Sequence, residues 1–219
     1  MHHYPFRYRL IAAPLRYFFK IFYMRLAWTY DWVASAVSFG RWNDWVFSVI
    51  PYLKGPRILE LGHGPGHLLV KLRQNGYSLV GLDASFQMSR MARKRLIRNK
   101  LGGIVVNGYA QFAPFQHSSF EQIVATFPSD YILCPDTLSE IRRLLVPQGD
   151  LIVVPFAWVS NLNCYERAAT CLSRLTGFTS NWDSIYCEPL RQQGFEVHVE
   201  TLTKLSSKIT VIHAKKSEM

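Results

Sequence analysis

Apolar runs and amphipathic stretches alternate along the chain from about residue 56 onwards. The apolar runs are short, are rich in Leu, Ile and Val, and predict buried strands at 57–61, 78–83, 103–108, 120–127 and 151–156. Between these runs, helices are predicted over 67–76, 85–100 and 135–145. Strands that lack polar alternation are typical of a parallel sheet covered on both faces. The pattern therefore predicts an α/β fold with helices on both sides of a mainly parallel sheet.

The last quarter of the chain departs from this alternation. Two further helices are predicted over 163–177 and 182–193, and two strands follow at 195–202 and 207–216. The first of these strands alternates apolar and polar residues, and only a short polar link joins it to the second. This spacing favours an antiparallel hairpin at the edge of the sheet. The sequence thus predicts seven strands, mostly parallel, with an antiparallel last strand.

The first 55 residues predict a helical lobe rather than part of the sheet. Pro14 favours a helix start, and the turn at Gly55-Pro56 ends the lobe. Charged residues interrupt the apolar ones before an uncharged run of about 18 can form, so we expect no transmembrane helix. We therefore divide the chain into a helical lobe or lid over 1–55 and a main domain over 56–219. The main domain is expected to carry a helical insertion at about 157–181.

The excess of positive charge narrows the classes of molecule that the protein is expected to bind. The chain has 25 Lys and Arg against 15 Asp and Glu, a formal net charge of +10. The excess lies in residues 1–55 and 90–100. The second stretch is interpreted either as a solvated helix face or as a phosphate-binding surface. The first is aromatic as well as basic, which leaves peripheral contact with a membrane open. No base-stacking platform or reader motif accompanies the basic helix, so we expect no nucleic-acid partner.

The cysteines and the first residues of the chain indicate the cellular compartment in which we expect the protein. None of the four cysteines belongs to a C-x-x-C pair, and we expect no metal site. No secretory signal is visible in the first residues. We expect a cytoplasmic protein, with a peripheral position at a membrane as the open alternative.

A glycine-rich loop follows the first predicted strand, in the sequence ELGHGPGH at residues 60–67. Gly62, Gly64 and Gly66 permit positive φ and allow a ligand to approach the backbone closely. The helix start that follows offers unpaired N–H groups. His67 stands where a dinucleotide fingerprint has glycine or alanine, and its bulk opposes that motif. We expect His63 to lie on this loop exposed to solvent.

An acidic residue ends the second predicted strand. Asp83 follows Gly62 at the separation at which an acidic side chain accepts hydrogen bonds from ribose hydroxyls. This position fits a nucleoside of either a dinucleotide or an adenosyl cofactor. The alternative interpretation is a helix N-cap, a role that Ser85 could fill equally well.

The pattern E-x-G-x-G-x-G resembles the first motif of class I S-adenosylmethionine-dependent methyltransferases. Residues 107–115 look like the segment that holds the adenine in this family, although Tyr109 stands where the family usually has an aspartate. The loop at 125–131, the turn and strand LLVPQGDLIVV and the closing helix and hairpin follow in the family's order. The resemblance covers about residues 56–215. It is closest to the type 11, or ubiquinone/menaquinone-biosynthesis-like, enzymes.

The resemblance implies a Rossmann-like three-layer sandwich, S-adenosylmethionine as cofactor, and methyl transfer to a small-molecule acceptor that is lipid-like or quinone-like. The cofactor-binding residues that it implies are Glu60, Gly62, Gly64, Gly66, Asp83, Ala84, Met88, Tyr109, Ala110, Gln111 and Thr126. Aromatic candidates near the acceptor are Tyr30, Phe127, Tyr131 and Tyr165, because aromatic walls suit a sulfonium cation. An oxygen or carbon acceptor would need a base, whereas an amine would only need to arrive unprotonated. His63 could act as such a base, but we assign no catalytic base.

Two other functions remain open at this point. One is an NAD-dependent oxidoreductase, which His67 and the antiparallel ending disfavour. The other is a nucleoside-binding protein of the same fold that has lost catalysis, which Tyr109 in place of aspartate keeps open.

Overall fold

The computed structural model describes residue 35 and residues 38–159, 183–204 and 206–217. Its strands are β1 (Ile58–Leu61), β2 (Leu79–Asp83), β3 (Ile104–Asn107), β4 (Phe120–Thr126), β5 (Leu145–Val154), β6 (Ala157–Val159), β7 (Phe195–Lys204) and β8 (Ser207–Lys216). They form one sheet in the order β3-β2-β1-β4-β5-β8, and β6 and β7 also pair with β8. Strands β1 to β5 are parallel to their neighbours, whereas β8 is antiparallel to β5, β6 and β7. The predicted mixed sheet and its antiparallel end are confirmed.

Helices join the parallel strands, as the alternation of patterns predicts. Numbered in chain order, they are α1 (Trp42–Val46), α2 (His67–Gln74), α3 (Phe86–Arg98), α4 (Pro135–Leu144) and α5 (Glu188–Gln192). Helix α2 ends at the predicted glycine: Gly76 has φ +85°, and its N–H donates to the Arg73 carbonyl at 3.1 Å. The N–H of Tyr77 donates to the Leu72 carbonyl at 3.0 Å, which completes a Schellman motif.

The fifth strand is longer than predicted and is interrupted, which raises the strand count from seven to eight. Residues 157–159 form β6, so the prediction that the helical insertion begins at 157 is wrong. Both β5 and β6 pair with β8, and β6 therefore continues β5 beyond Pro155. Proline has no backbone N–H to donate, which accounts for a break in the ladder at this point. The rest of the predicted insertion lies outside the described residues.

The sheet lies between two apolar clusters, as expected for a three-layer sandwich. Alternate residues of β1 point to opposite sides, with Ile58 in one cluster and Leu59 and Leu61 in the other. The first cluster contains buried residues of α1, α2 and α3. The second contains buried residues of α4 and α5. A parallel strand buried on both faces needs the continuous apolar run that the sequence shows.

The end of the N-terminal segment is anchored to β4 by one buried amide. Gln122 accepts hydrogen bonds at its Oε1 from the N–H groups of Lys54 at 2.5 Å and Gly55 at 3.0 Å. Its Nε2 donates to the Tyr52 carbonyl at 3.0 Å. This contact fixes α1 and the 3-10 helix Phe47–Tyr52 against the sheet. Most of the predicted lobe precedes residue 35 and lies outside the described residues.

In the part of the chain that the structure describes, no helix is long and apolar enough to cross a bilayer.

Candidate functional site

The candidate residues gather at the carboxyl ends of the central parallel strands. The glycine loop follows β1, Asp83 ends β2, the Tyr109 segment follows β3, and Thr126 ends β4. Neighbouring parallel strands present these ends at one edge of the sheet, which is where open α/β sheets bind ligands. The topology thus brings together residues that lie far apart in sequence.

The three glycines of the loop all adopt the left-handed region. Their φ angles are +69° at Gly62, +53° at Gly64 and +84° at Gly66. The N–H of Gly62 donates to the Leu82 carbonyl at 2.7 Å, which extends the β1–β2 pairing into the loop. Gly66 is the N-cap of α2. Residues with a side chain would be strained at all three positions, so the backbone itself favours glycine there.

Gly66 also permits close packing of two helices. A side-chain carbon at this position would lie 2.8 Å from Cβ and 3.0 Å from Cα of Ala92 on α3. The third glycine of the motif therefore has a structural reason independent of any ligand. It lets the start of α2 lie directly against α3.

Asp83 is buried and accepts hydrogen bonds from two backbone groups. Its Oδ2 accepts from the N–H of Gly64 at 2.9 Å, and its Oδ1 accepts from the N–H of Ser85 at 2.7 Å. The N-cap of α3 is Ser85, whose Oγ accepts from the N–H of Met88 at 3.3 Å. Asp83 thus joins the glycine loop to the turn after β2, a structural role that the sequence analysis did not foresee. Because a carboxylate has about four acceptor positions, these two bonds alone do not exclude a ribose hydroxyl.

Three buried polar groups around the loop have an atom without a hydrogen-bond partner among the described residues. These atoms are Glu60 Oε2, His63 Nε2 and the Tyr131 hydroxyl. Buried polar atoms are usually paired, so such orphans in a native fold call for an explanation such as a bound ligand. Burial raises the pKa of Glu60 well above its usual range, and the charge of Asp83 adds to this effect. The residues at this edge therefore fit a polar ligand seated against the loop.

His63 is buried, and the expectation that it is exposed is wrong. Its Nδ1 lies 2.7 Å from the carbonyl oxygen of Gly64. Since that oxygen can only accept, Nδ1 carries the proton and donates. The ring packs on β2, where a side-chain carbon at Gly81 would come within 2.8 Å of His63 Cδ2. Burial lowers the pKa of His63, so its Nε2 is an unprotonated acceptor directed into the interior.

Tyr131 closes over the first glycine. A side-chain carbon at Gly62 would lie 2.6 Å from the Tyr131 hydroxyl oxygen. Burial raises the pKa of Tyr131, with the charges of Asp83 and Glu60 contributing. This shift favours the protonated hydroxyl, which lies directly against Gly62. Tyr131 lies against the loop that the resemblance assigns to the cofactor, although it was selected as an acceptor residue.

The segment after β3 is hydrogen-bonded to the backbone of Asp83. The carbonyl of Asp83 accepts from Asn107 Nδ2 at 2.8 Å and from the N–H of Gly108 at 3.0 Å. Tyr109 is 65% exposed, while Ala110 and Gln111 are half-buried in a short 3-10 helix. Residues 84–120 contain no Asp or Glu, and the carboxylate that contacts this segment comes from α4, where Glu140 Oε1 accepts a hydrogen bond from the N–H of Ala113 at 3.1 Å.

The other predicted cofactor residues differ in their access to a ligand. Ala84 is exposed at the turn after β2, and Thr126 is half-buried at the end of β4. Met88 is fully buried in the interior. It packs beneath the site rather than presenting an open surface for an adenine ring.

Phe127 has a strained backbone and lies in an aromatic cluster. Its φ is +50°, an outlier for a bulky residue, and its N–H donates to the Val154 carbonyl at 2.7 Å. Its ring centroid lies 4.5 Å from that of Trp42 and 6.2 Å from that of Trp45. Strained residues cluster at functional sites. Sequence reasoning chose Phe127 but missed both tryptophans as its partners, because they lie some 80 residues earlier in the chain.

Two aromatic candidates, Tyr30 and Tyr165, lie outside the described residues. Within the described ranges, no group of three or more His, Cys, Asp or Glu could hold a metal ion. The expectation that the chain has no metal site stays a prediction.

Comparisons with known proteins agree with this geometry. Residues 58–149 match the family model described as a methyltransferase domain. A demethylmenaquinone methyltransferase of Thermotoga maritima is 32% identical over 136 residues, which are 59% of this chain and 58% of the relative. The chain therefore spans less than two thirds of the length of this relative.

Solved structures share the fold. A methyltransferase of Methanosarcina mazei has a TM-score of 0.58 at 21% identity, covering 78% of this chain and 97% of that one. A phosphoethanolamine N-methyltransferase of Haemonchus contortus, solved with S-adenosylhomocysteine, has a TM-score of 0.63 at 19% identity, covering 88% of this chain and 57% of that one. These matches confirm the Rossmann-like architecture. None of the proteins named above is an oxidoreductase.

Proposed function

We propose that this chain, which carries the methyltransferase domain of the class I S-adenosylmethionine-dependent enzymes, transfers a methyl group from S-adenosylmethionine to a small-molecule acceptor. The observation that carries the proposal is the glycine loop after β1, with three unpartnered polar atoms buried around it. A loop of this shape at the carboxyl edge of a parallel sheet accommodates a nucleoside and its polar substituent.

The cofactor supplies an activated sulfonium methyl, so the protein needs chiefly to bind, orient and exclude water. Gly62, Gly64 and Gly66 allow close approach to the backbone, and Glu60 presents a polar group beneath them. Asp83 shares its carboxylate between the loop and a ribose hydroxyl in this proposal. The remaining contacts are assigned to residues at the carboxyl ends of β2, β3 and β4: Ala84, Met88, Tyr109, Ala110, Gln111 and Thr126.

Burial raises the pKa of both Glu60 and Tyr131, which favours the protonated form of each. In that form they can donate hydrogen bonds to a carboxylate or accept them from an ammonium group without placing a second negative charge beside Asp83. Met88 requires a small outward rearrangement to reach an adenine ring.

The acceptor is proposed to bind beside the aromatic cluster of Phe127, Trp42 and Trp45. Trp42 and Phe127 are half-buried and thus present part of their rings to solvent. Flat aromatic faces suit an apolar or aromatic acceptor and also stabilise a nearby cation. Tyr30 and Tyr165 remain candidates for the same role. We assign no general base.

The class of acceptor is proposed from the relatives. The Thermotoga maritima protein is named for demethylmenaquinone, and an acceptor that is quinone-like or lipid-like fits the aromatic cluster. Contact of the N-terminal lobe with a membrane belongs to the same proposal, because a lipophilic acceptor is met at a bilayer surface. We still predict a cytoplasmic protein, which would meet the membrane from the cytoplasmic side.

The experiment is a methyl-transfer assay with the full chain, S-adenosylmethionine and a panel of acceptors that contains hydroquinones, phospholipids and simple amines. Mass spectrometry would detect an acceptor that gains one methyl group together with an equal amount of S-adenosylhomocysteine. A hydroquinone product is the expected result. Methylation of amines alone would contradict the proposed acceptor class, and turnover of no member of the panel would contradict the proposed activity.

A further inference from the structure

One side of the molecule combines strong positive charge with exposed apolar side chains. Residues 84–120 contain no Asp or Glu, whereas six Lys and Arg fall between 90 and 100. These residues form α3, β3 and the loop after it, at the β3 end of the sheet. Neither the fold nor the proposed methyl transfer accounts for this composition.

Two of the basic side chains have structural roles. A terminal nitrogen of Arg93 donates to the Val105 carbonyl at 2.8 Å, and one of Arg95 donates to the Pro65 carbonyl at 2.8 Å. The other four, Arg90, Lys94, Arg98 and Lys100, are exposed. They form no ion pair with any residue that the structure describes. Their charge is therefore available to a partner.

Two large apolar side chains are exposed on α3 itself, and others are exposed on β3 and in the loop after it. Phe86 on α3 is 64% exposed, Ile97 is 73% exposed, and Ile104 on β3 is 61% exposed. Tyr109 and Phe112 in the following loop are also exposed. Single exposed apolar residues are ordinary, but a group of them on one surface is typical of an interaction site.

The spacing on α3 places charge and apolar bulk in one stripe. At about 100° per residue, Phe86, Arg90, Lys94 and Ile97 fall within about 80° of one another. The buried residues Met88, Ala92 and Leu96 lie on the opposite side of the helix. The outer surface of α3 is thus both basic and apolar along its whole length.

We propose that this basic apolar face, defined by the α3 residues Phe86, Arg90, Lys94, Ile97 and Arg98, rests on the surface of an anionic membrane. Lys and Arg can place their charges among lipid phosphates while their methylene chains follow the apolar residues. Phe86 and Ile97 can then leave water for the boundary of the acyl chains. A nucleic acid would satisfy the charges but would leave both of these apolar side chains in water, so we favour the membrane.

The face adjoins the candidate cofactor site. Phe86 begins α3 directly after Ala84 and Ser85, and Tyr109 extends from the next strand. A bilayer against the face would therefore lie beside the mouth of the site. The supply of a lipophilic acceptor by this route rests on the proposed function, whereas membrane binding itself does not.

The test uses the full chain and sedimentation with vesicles of phosphatidylcholine, with and without phosphatidylglycerol. The charge variant replaces Arg90, Lys94 and Arg98 with Gln, and the apolar variant is Ile97→Ser. The control for the charge variant replaces three exposed lysines elsewhere with Gln, namely Lys54, Lys204 and Lys208. The control for the apolar variant replaces the partly exposed Val199 with Ser. S-Adenosylhomocysteine affinity is measured for every variant.

We expect the parent chain to bind the anionic vesicles and not the neutral ones. Each basic residue near such a surface is worth about fivefold in partitioning, so the charge variant should bind on the order of a hundredfold more weakly. Ile97→Ser should weaken binding several-fold, and both controls should bind like the parent. Binding of the charge variant at parent strength would overturn the proposal, as would a preference of the parent for duplex DNA over the vesicles. Loss of S-adenosylhomocysteine binding in the parent chain would count against the proposed function alone.

Discussion

The carboxylate of Asp83 accepts a hydrogen bond from the backbone N–H of Gly64 at 2.9 Å. The residue expected to hold a ribose is therefore also the residue that fixes the shape of the glycine loop. A second bond, from the N–H of Ser85 at 2.7 Å, holds the carboxylate in place. If Asp83 also holds the ribose, as we propose, binding and folding are coupled at this side chain.

Replacing Asp83 should consequently affect both properties. Hydrogen bonds to a charged group contribute about 1.5–3 kcal/mol each, and we expect Asp83→Ala to lower the free energy of unfolding by roughly 3 kcal/mol. It should also abolish S-adenosylhomocysteine binding. Asp83→Asn retains one acceptor oxygen and should recover part of the stability. Denaturant unfolding and calorimetric titration of both variants measure the two effects, and a fully stable Asp83→Ala variant would show that the loop does not depend on this residue.

Gly66 should be intolerant of a side chain because of Ala92. The Gly66→Ala variant places a carbon 2.8 Å from Ala92 Cβ and imposes a positive φ on alanine. Overpacking and left-handed strain together should cost about 2–4 kcal/mol of unfolding free energy. Adding Ala92→Gly should restore part of that loss, because it removes the 2.8 Å contact with Cβ, while the 3.0 Å approach to the Cα of residue 92 and the backbone strain remain. A double-mutant cycle measures the coupling between the two positions, and strictly additive effects would exclude the contact as the cause.

Glu60 should make the protein less stable as the pH rises. Burial raises its pKa in the folded state, so its contribution to stability is fully present below the unfolded pKa and is lost as the pH rises through the folded value. Glu60→Gln removes this titration, and the variant should gain stability relative to the parent as the pH is raised from 5 to about 9. Denaturant unfolding across this pH range measures the free energy of unfolding of both proteins and tests whether the difference changes in the predicted direction.

Glu121 provides a control of opposite sign. The hydrogen bond from Arg57 lowers the pKa of Glu121, so its contribution is present above the unfolded pKa and is lost as the pH falls through the folded one. Because Glu121 lies near the surface, its ion pair contributes little to stability. Glu121→Gln should therefore lower the free energy of unfolding slightly at neutral pH and leave it nearly unchanged in acid. A Glu60→Gln variant with the same pH dependence as the parent would show that Glu60 is already charged in the fold.

Two variants of Phe127 can separate the effect of backbone strain on stability from the effect of losing the ring contacts. Both Phe127→Ala and Phe127→Gly remove the stacking with Trp42, but only glycine adopts φ +50° without strain. The glycine variant should therefore be about 1 kcal/mol more stable than the alanine variant, although glycine is ordinarily the weaker residue at the end of a strand. If the ring borders the acceptor, both variants should raise KM for the acceptor and leave S-adenosylhomocysteine affinity unchanged. An alanine variant that is more stable than the glycine variant would remove the argument from strain.

The sequence predicts the fold well because local patterns determine most of it. Continuous apolar runs and helical spacing identify the central strands and helices, and the order of motifs identifies the parallel sheet. The exception at Ala157–Val159 arises because these three residues pair with Ser207–Ile209, far along the chain. No local pattern distinguishes so short a strand from the start of a helix.

The candidate site is predicted less completely because its contacts are not local. His63 is buried only because Gly81, on another strand, leaves room for its ring. The contact of Trp42 with Phe127 likewise depends on the packing of α1 against the end of β4. Sequence reasoning could identify each residue as a candidate, but not the partner that gives it a role.

The most direct test of the account is calorimetric titration of the full chain with S-adenosylhomocysteine, with NAD titrated in parallel. We predict binding of S-adenosylhomocysteine in the micromolar range and no binding of NAD, because the glycine loop and its buried polar atoms fit an adenosyl amino acid and His67 opposes a dinucleotide. Binding of NAD alone, or of neither ligand, would contradict the account.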